Sequence, residues 1–559
     1  MDTRNVLMAV ILSTIVLIFW ATFFEAPIVD QETNKNQVTK NESTSTPSIE
    51  EIETSKKVSR NEAIKKAKRI KLENDNIKGS ISLKGGIIDD VIFKKYKKSL
   101  KSEQNVIFLN PKESEEGYYI ETGWASKGNE KLKLPLDSTV WEVKGNNILT
   151  PNNPILLEWD NNEGLIFTKK IELDQEFLFK ITQSIKNNSN KAFQFFPYAQ
   201  ITRNYKPEVT PIYILHEGFL GVFGDELKEM DYEDVEDEKF ITNSSKGWLG
   251  ITDKYWLTAI VPEKNKNFKS EFLSKNEKYR ANFILKEPVI LNPNDSVTNQ
   301  VNAFVAAKEV AVIDSYAEKL GIEKFDLTID WGWFYFFTKP LFFVIDYFFR
   351  MTGNFGLAIV IITALVRLIF FPLANYSFRS MAKMKVLQPE MLRLKELHKD
   401  DKTKLQQEMM ALYKREKVNP ISGCLPVLIQ IPFFFAIYKM LYVTLEMRHQ
   451  PFFGWIEDLS ARDPTSIFNL FGLIPWDPPT FLMIGAWPVL MGVSMYLQQK
   501  LNPTPPDPIQ AKIFMFFPLF LTIILAPFPS GLVVYWTINN ILTIAQQWVI
   551  MRGTKVKTV

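Results

Sequence analysis

Ile361-Ile-Thr-Ala-Leu-Val-Arg367-Leu-Ile-Phe-Phe-Pro372 is an apolar run with one permanent cation inside it. A guanidinium stays protonated in proteins, so Arg367 carries its charge wherever the helix lies. At 1.5 Å per residue, Arg367 falls roughly 18 Å from the outer end of a helix over 355–373 and about 9 Å from its cytoplasmic end. A charge at that depth in hydrocarbon costs several kcal/mol unless it meets water or a partner. Two readings stand at this point. The side chain snorkels some 6 Å along its stem to the cytoplasmic interface, or it is held in a wet cavity inside the protein.

Outward from this stretch, apolar runs recur at 355–373, 424–445, 480–498, 513–529 and 531–550. About 20 residues of helix cross a hydrocarbon core of roughly 30 Å. Pro518, Pro527 and Pro529 mark the fourth run, and only Pro529-Ser530-Gly531 separates it from the fifth, which predicts a tight helical hairpin. A sixth span is predicted at the N-terminus, where Arg4 precedes an apolar run over 6–24. That run ends in Phe23-Phe24-Glu25-Ala26-Pro27, without the small-x-small pattern of a cleaved signal, so 1–26 reads as a signal anchor. Residues 331–350 are apolar and aromatic but broken by Lys339-Pro340, Asp346 and Arg350, which fits an amphipathic helix in the interface.

The region before these helices has a different grammar. Residues 27–69 begin with a stretch rich in Asn, Thr, Ser, Glu and Lys, too polar to repay ordering, and read as a flexible linker. Over 70–325, alternating runs at 80–93, 139–143, 165–173, 177–185, 193–205, 248–261 and 281–285 are separated by Gly, Asn, Asp and Pro, which predicts a large β-sandwich. The acidic stretch 225–238 reads as a solvated loop, and 308–320 as a helix closing the domain.

Charge sets orientation. Residues 374–422 carry Arg379, Lys383, Lys385, Arg393, Lys395, Lys399, Lys402, Lys404, Lys414, Arg415 and Lys417, whereas 446–479 carry only Arg448 and Arg462. Positive loops stay cytoplasmic. Both termini are therefore expected inside, the β domain outside, and the short tail 552–559 in the cytoplasm. Within 375–420, Met384, Leu387, Met391 and Leu394, then Leu405, Met409 and Leu412, follow helical spacing around the polar turn Lys399-Asp400-Asp401. This predicts an antiparallel helical hairpin whose apolar stripe is its own seam or a surface for varied apolar partners.

The 66 Lys+Arg nearly balance 63 Asp+Glu, giving +3 overall, so no global field argues for nucleic acid. The lone Cys424 excludes an internal disulfide, and His216, His398 and His449 fall in three separate regions, which argues against a shared metal or catalytic site. Metalloprotease, P-loop, dinucleotide and nucleophile-elbow motifs are missing from the sequence. The five C-terminal runs hold no Asp or Glu, whereas ion transporters use acidic relays and intramembrane proteases need Ser-His or Asp-Asp pairs. An unpaired Arg367 suits a site that receives an anionic group from outside the protein. Thr363, Gln430, Thr522, Thr537, Asn539, Asn540 and Gln546 are the polar candidates to line it, each also able to serve as a helix-packing residue.

The motifs Ser380-Met-Ala-Lys-Met-Lys-Val-Leu-Gln-Pro389, Gln407-Glu-Met-Met-Ala-Leu-Tyr-Lys414, Lys417-Val-Asn-Pro420, Gly423-Cys-Leu-Pro426, Gln430-Ile-Pro432 and Phe528-Pro-Ser-Gly-Leu532 stand in order over 331–553. They resemble the YidC family of membrane protein insertases, in its Gram-negative form, with Oxa/Alb-type relatives. The resemblance implies a polytopic α-helical membrane protein of six transmembrane helices with a cytoplasmic helical hairpin and a large periplasmic β-sandwich. It implies a non-enzymatic insertase and chaperone of the bacterial inner membrane, with no cofactor or metal. Its groove would be hydrophilic, open to cytoplasm and lipid, and lined by Arg367, Thr363, Gln430, Trp536, Tyr535 and Asn539, with Arg367 attracting acidic residues of the client. Tyr535-Trp536 departs from the Tyr-Tyr of some relatives. Implied partners are nascent inner-membrane proteins, Sec translocon components, lipids, and the ribosome or signal recognition machinery through the hairpin. A polytopic transporter or channel is the alternative, which inverted repeats would support.

Overall fold

The alternation over 165–187 folds as two antiparallel strands, Leu165–Leu173 and Leu178–Asn187, with Ile171 opposite Ile181 and Phe167 opposite Ile185. Every second side chain of each strand is buried, as period-2 patterning demands of a half-covered sheet. The computed structural model describes residues 57–126, 132–209, 215–332, 334–399, 401–416, 418, 425–476, 478–479, 482–502 and 508–553. The expected signal anchor at 1–26, most of the linker, Cys424 and most of the basic tail lie outside these residues.

The strands build an eleven-stranded and a nine-stranded sheet, both largely antiparallel. Leu72, Ile120, Phe195 and Phe283 of the first share one apolar core with Phe167, Ile181, Leu249 and Val301 of the second. The β-rich domain is therefore a sandwich. Two alternating runs divide into hairpins. Gly85 and Gly86, both at positive φ, turn the chain between Ile77–Ser82 and Ile87–Lys97. Asp253 lies between Gly247–Thr252 and Trp256–Val261 and accepts a hydrogen bond from Arg203 Nη1 at 2.7 Å. The acidic stretch is no loop. Strand Glu226–Asp231 leads into helix Tyr232–Asp237 because Tyr232 and Val235 reach the core while the carboxylates face out. The segment read as linker is already helical at Arg60–Lys66, where Ser59 and Glu62 form a capping box.

Helix α1 (Val310–Leu320) ends on the left-handed Gly321 and passes into α2 (Tyr335–Thr352). In α2, Leu341, Phe342 and Ile345 face inward, whereas Phe336, Phe343, Tyr347 and Met351 are exposed, an amphipathic division. The β domain and the helices are not separate bodies. Leu220, Trp248, Leu257 and Phe304 share an apolar cluster with Ile345, Ile359, Ile437, Met440 and Leu532. Charged groups tie the same junction: Lys339 to Asp314 and Asp326 (both 2.8 Å), Lys439 to Asp330 (2.6 Å), Val310 N–H to Glu446 (2.7 Å) and Arg448 Nη2 to Lys97 O (2.7 Å).

Helices α3 (Phe355–Ile369) and α4 (Phe371–Leu397) bend by 69° at Phe370, with Pro372 in the first turn of α4. Among the described residues no single helix is long and apolar enough to cross a membrane, and this bent pair meets that test together. The remaining helices are α5 (Lys402–Arg415), α6 (Leu425–Val443), α7 (Ala486–Leu501), α8 (Pro508–Leu525) and α9 (Ser530–Gly553). Pro432 and Pro518 lie inside α6 and α8, and the segment carrying Arg367 is broken at Phe370. The expected helical hairpin forms from α4 and α5: Asp401 caps α5 through Lys404 N–H, Arg415 pairs Glu390 at 2.6 Å, and Met391 and Leu412 are buried. Its first arm starts directly at Phe371 rather than after a loop.

Candidate functional site

Arg367 lies in the last turn of α3, a helix started by Asn354, whose side chain accepts Leu357 N–H at 2.9 Å. Across from it, α9 presents Tyr535, Asn539 and Gln546, spaced four and seven apart on one helical face. Gln430 comes from the first turns of α6, just before Pro432. Arg367 Nε and Nη2 donate to Asn539 Oδ1 at 3.0 and 2.7 Å, and Nη2 also to the Asn539 carbonyl at 3.3 Å. Gln430 Nε2 donates to the same Oδ1 at 3.0 Å.

These groups line a small cavity of about 40 Å³ with Thr363, Phe370, Ala374 and Phe433. It has room for a few waters and none for a chain. No acidic side chain lines it among the described residues. Arg367 Nη1 has no hydrogen-bond partner among the described residues, so part of the cation's donor capacity remains uncommitted. A second cavity of about 300 Å³ lies between α6, α7, α8 and α9, lined by Phe434, Met495, Phe514, Phe517, Trp536 and Asn540. Gln430, Tyr535 and Asn539 line both cavities and so form the wall between them.

Of the expected groove residues, Arg367, Thr363, Gln430, Tyr535 and Asn539 meet at the first cavity. Trp536 faces the second, edge-on to Phe434 at a 4.8 Å centroid distance. Thr363 spends its hydroxyl on the Ile359 carbonyl at 2.6 Å. Gln546 joins the Arg367 cavity, whereas Asn540 lines the second cavity and hydrogen-bonds Ser494. Thr522 and Thr537 return their hydroxyls to their own helices, at Pro518 O and Val533 O. Sequence reading passed over Lys439, a buried cation in α6. It lies one turn from the C-terminal end of the helix and finds Asp330, more than a hundred residues upstream. A cation near a span's end was the available signal.

The class of fold the chain presents is a β-sandwich packed on a helical core that holds a lone cation in a cavity. The family model described as 60Kd inner membrane protein matches residues 347–557, and the YidC periplasmic domain model matches 69–344. A relative named membrane protein insertase YidC from Pelagibacter ubique is 57% identical, covering 100% of both chains. One of the same name from Bradyrhizobium diazoefficiens is 43% identical over 100% of this chain and 97% of its own. A solved structure of an active YidC insertase, its first transmembrane domain resolved, covers 86% of this chain and 92% of its own at 17% identity and TM-score 0.34. This chain belongs to the YidC family, membrane proteins with a periplasmic domain.

Proposed function

We propose that the chain inserts and folds inner-membrane proteins, alone or with the Sec translocon, through a groove centred on Arg367. The observation that carries this is a guanidinium held in a cavity by the Asn539 amide, to which Gln430 also donates, with no acidic side chain lining that cavity among the described residues. Moving a polar loop through hydrocarbon leaves backbone groups unsatisfied. A hydrated recess reaching part-way shortens that path, and Arg367 offsets the burial of a client carboxylate. The client's apolar helix then partitions into lipid and supplies the driving force without a nucleotide. In this reading the molecule has six spans with both termini cytoplasmic, α2 lies in the outer interface, and the α4–α5 hairpin recruits clients from the ribosome or signal recognition machinery.

The test is protease protection of a small one-span client added to liposomes holding only this protein. Arg367→Ala is expected to cut protection of a client with an acidic translocated segment by about tenfold or more, one lost charge-assisted contact being worth roughly 1.5–3 kcal/mol. Equal protection by both proteins would return Arg367 to a snorkelling role. No protection above empty liposomes would remove autonomous insertion.

A further inference from the structure

Three donors, Arg367 Nε, Arg367 Nη2 and Gln430 Nε2, converge on the single oxygen Asn539 Oδ1. An amide oxygen has two lone pairs for these three donors, and Nη2 turns in part to the Asn539 backbone carbonyl at 3.3 Å. A carboxylate offers two oxygens and about four acceptor sites, and its bonds to a guanidinium are roughly twice as strong as those of an amide. The geometry around Arg367 is therefore built for an anion and filled by an amide. The same amide stands in the wall between the two cavities.

We infer that Asn539 is the resting occupant of the client-anion position and that a client Asp or Glu displaces it, joining the two cavities into one continuous groove. The inference rests on the reading of Arg367 as the anion site. In the resting state Asn539 keeps the half-buried cation solvated at neutral charge. A neutral polar segment gains nothing by replacing one amide with another, whereas a carboxylate takes over all three donors. Asn539 thus acts as a positioning and selecting residue through Arg367, and the opening of the wall is tied to the arrival of negative charge.

The test compares two one-span clients, one with Asp in its translocated segment and one with that Asp replaced by Asn, in proteoliposomes of the full chain. Wild type is expected to favour the acidic client. Asn539→Asp supplies the carboxylate from within and is expected to abolish that preference, a change on the order of tenfold. Adding Arg367→Ala to Asn539→Asp should cost nothing further. Asn539→Ser withdraws the amide without supplying a charge and should keep the preference for the acidic client. The solubilised Asn539→Asp protein should melt no lower than wild type, because it gains an ion pair. The inference is overturned if Asn539→Asp retains the acidic preference, if it melts lower and loses both clients, or if Asn539→Ser loses both. An Arg367→Ala protein that keeps the preference sinks the anion-site reading itself, which separates the two failures.

Discussion

Glu446 accepts the backbone N–H that opens α1 through one carboxylate oxygen, while its other oxygen is buried with no hydrogen-bond partner among the described residues. Burial pushes its carboxyl up to about 7 from 4.5, with Glu309 and Asp346 adding to the rise against two backbone hydrogen bonds. A raised folded-state value means that the folded form binds the extra proton. Its stabilisation is present below pH 4.5 and is lost as pH rises through 7. Glu446→Gln does not titrate, so its melting temperature should fall less than that of wild type between pH 5 and pH 8, a relative gain on the order of 3 kcal/mol at most. Parallel pH curves would remove Glu446 from the account. At this scale Arg367 was legible, because one charge in an apolar run is visible in one dimension. The choice among seven polar residues was not: Asn539 and Thr537 look alike in sequence, and only helix phase decides which reaches Arg367. Lys439 was hidden for the same reason, its partner Asp330 lying in a distant connector.

Among elements, close approach is set by glycine. A Cβ on Gly492 would stand 2.0 Å from Thr522 Oγ1, so α7 and α8 touch through a position that tolerates no side chain. Gly492→Leu should therefore separate these helices and lower the melting temperature, at a cost of about 1–3 kcal/mol or more. Circular dichroism of the solubilised protein would check this, and an unchanged midpoint would refute the packing argument. The strands at 165–187 were readable because both alternate cleanly. Two hairpins read as single runs, since an alternating pattern continues through a tight turn when the second strand keeps the same phase. The acidic stretch misled because charge density hid Tyr232 and Val235, whose spacing of three already marks one face of a helix. The α3–α4 bend was invisible because Phe370 and Phe371 are as apolar as the helix before them.

For the whole molecule, the shared apolar cluster makes the lower part of the β domain a neighbour of the helices rather than a pendant. Deleting residues 70–300 should spare insertion in the liposome assay, since the Arg367 cavity is built wholly from helices. Extending the deletion through 332 also removes Asp330 and the 2.6 Å ion pair it makes with Lys439, which should cost folded protein. Equal activity from both truncations would show that the junction is dispensable. The sandwich and the helical half were legible as classes from the change of period between them. Their joint core was not, because its members, such as Trp248 and Leu532, are far apart in sequence.

The start of α9 is fastened twice, Ser530 to the Ala461 carbonyl through both N–H and hydroxyl at 2.7 and 2.8 Å, and Gly531 N–H to Leu459 O at 2.9 Å. Mechanically this is a pivot, and the helix beyond it is a lever. Its 24 residues make an arm of about 36 Å, so a tilt of roughly 10° sweeps the far tip by about 6 Å while the pinned end stays in place. Ile550, near that tip, packs with Ala374, Phe378 and Met381 of α4. Any swing of the lever would therefore carry the root of the hairpin with it, and the stroke would be widest at the end of α9 that meets α4.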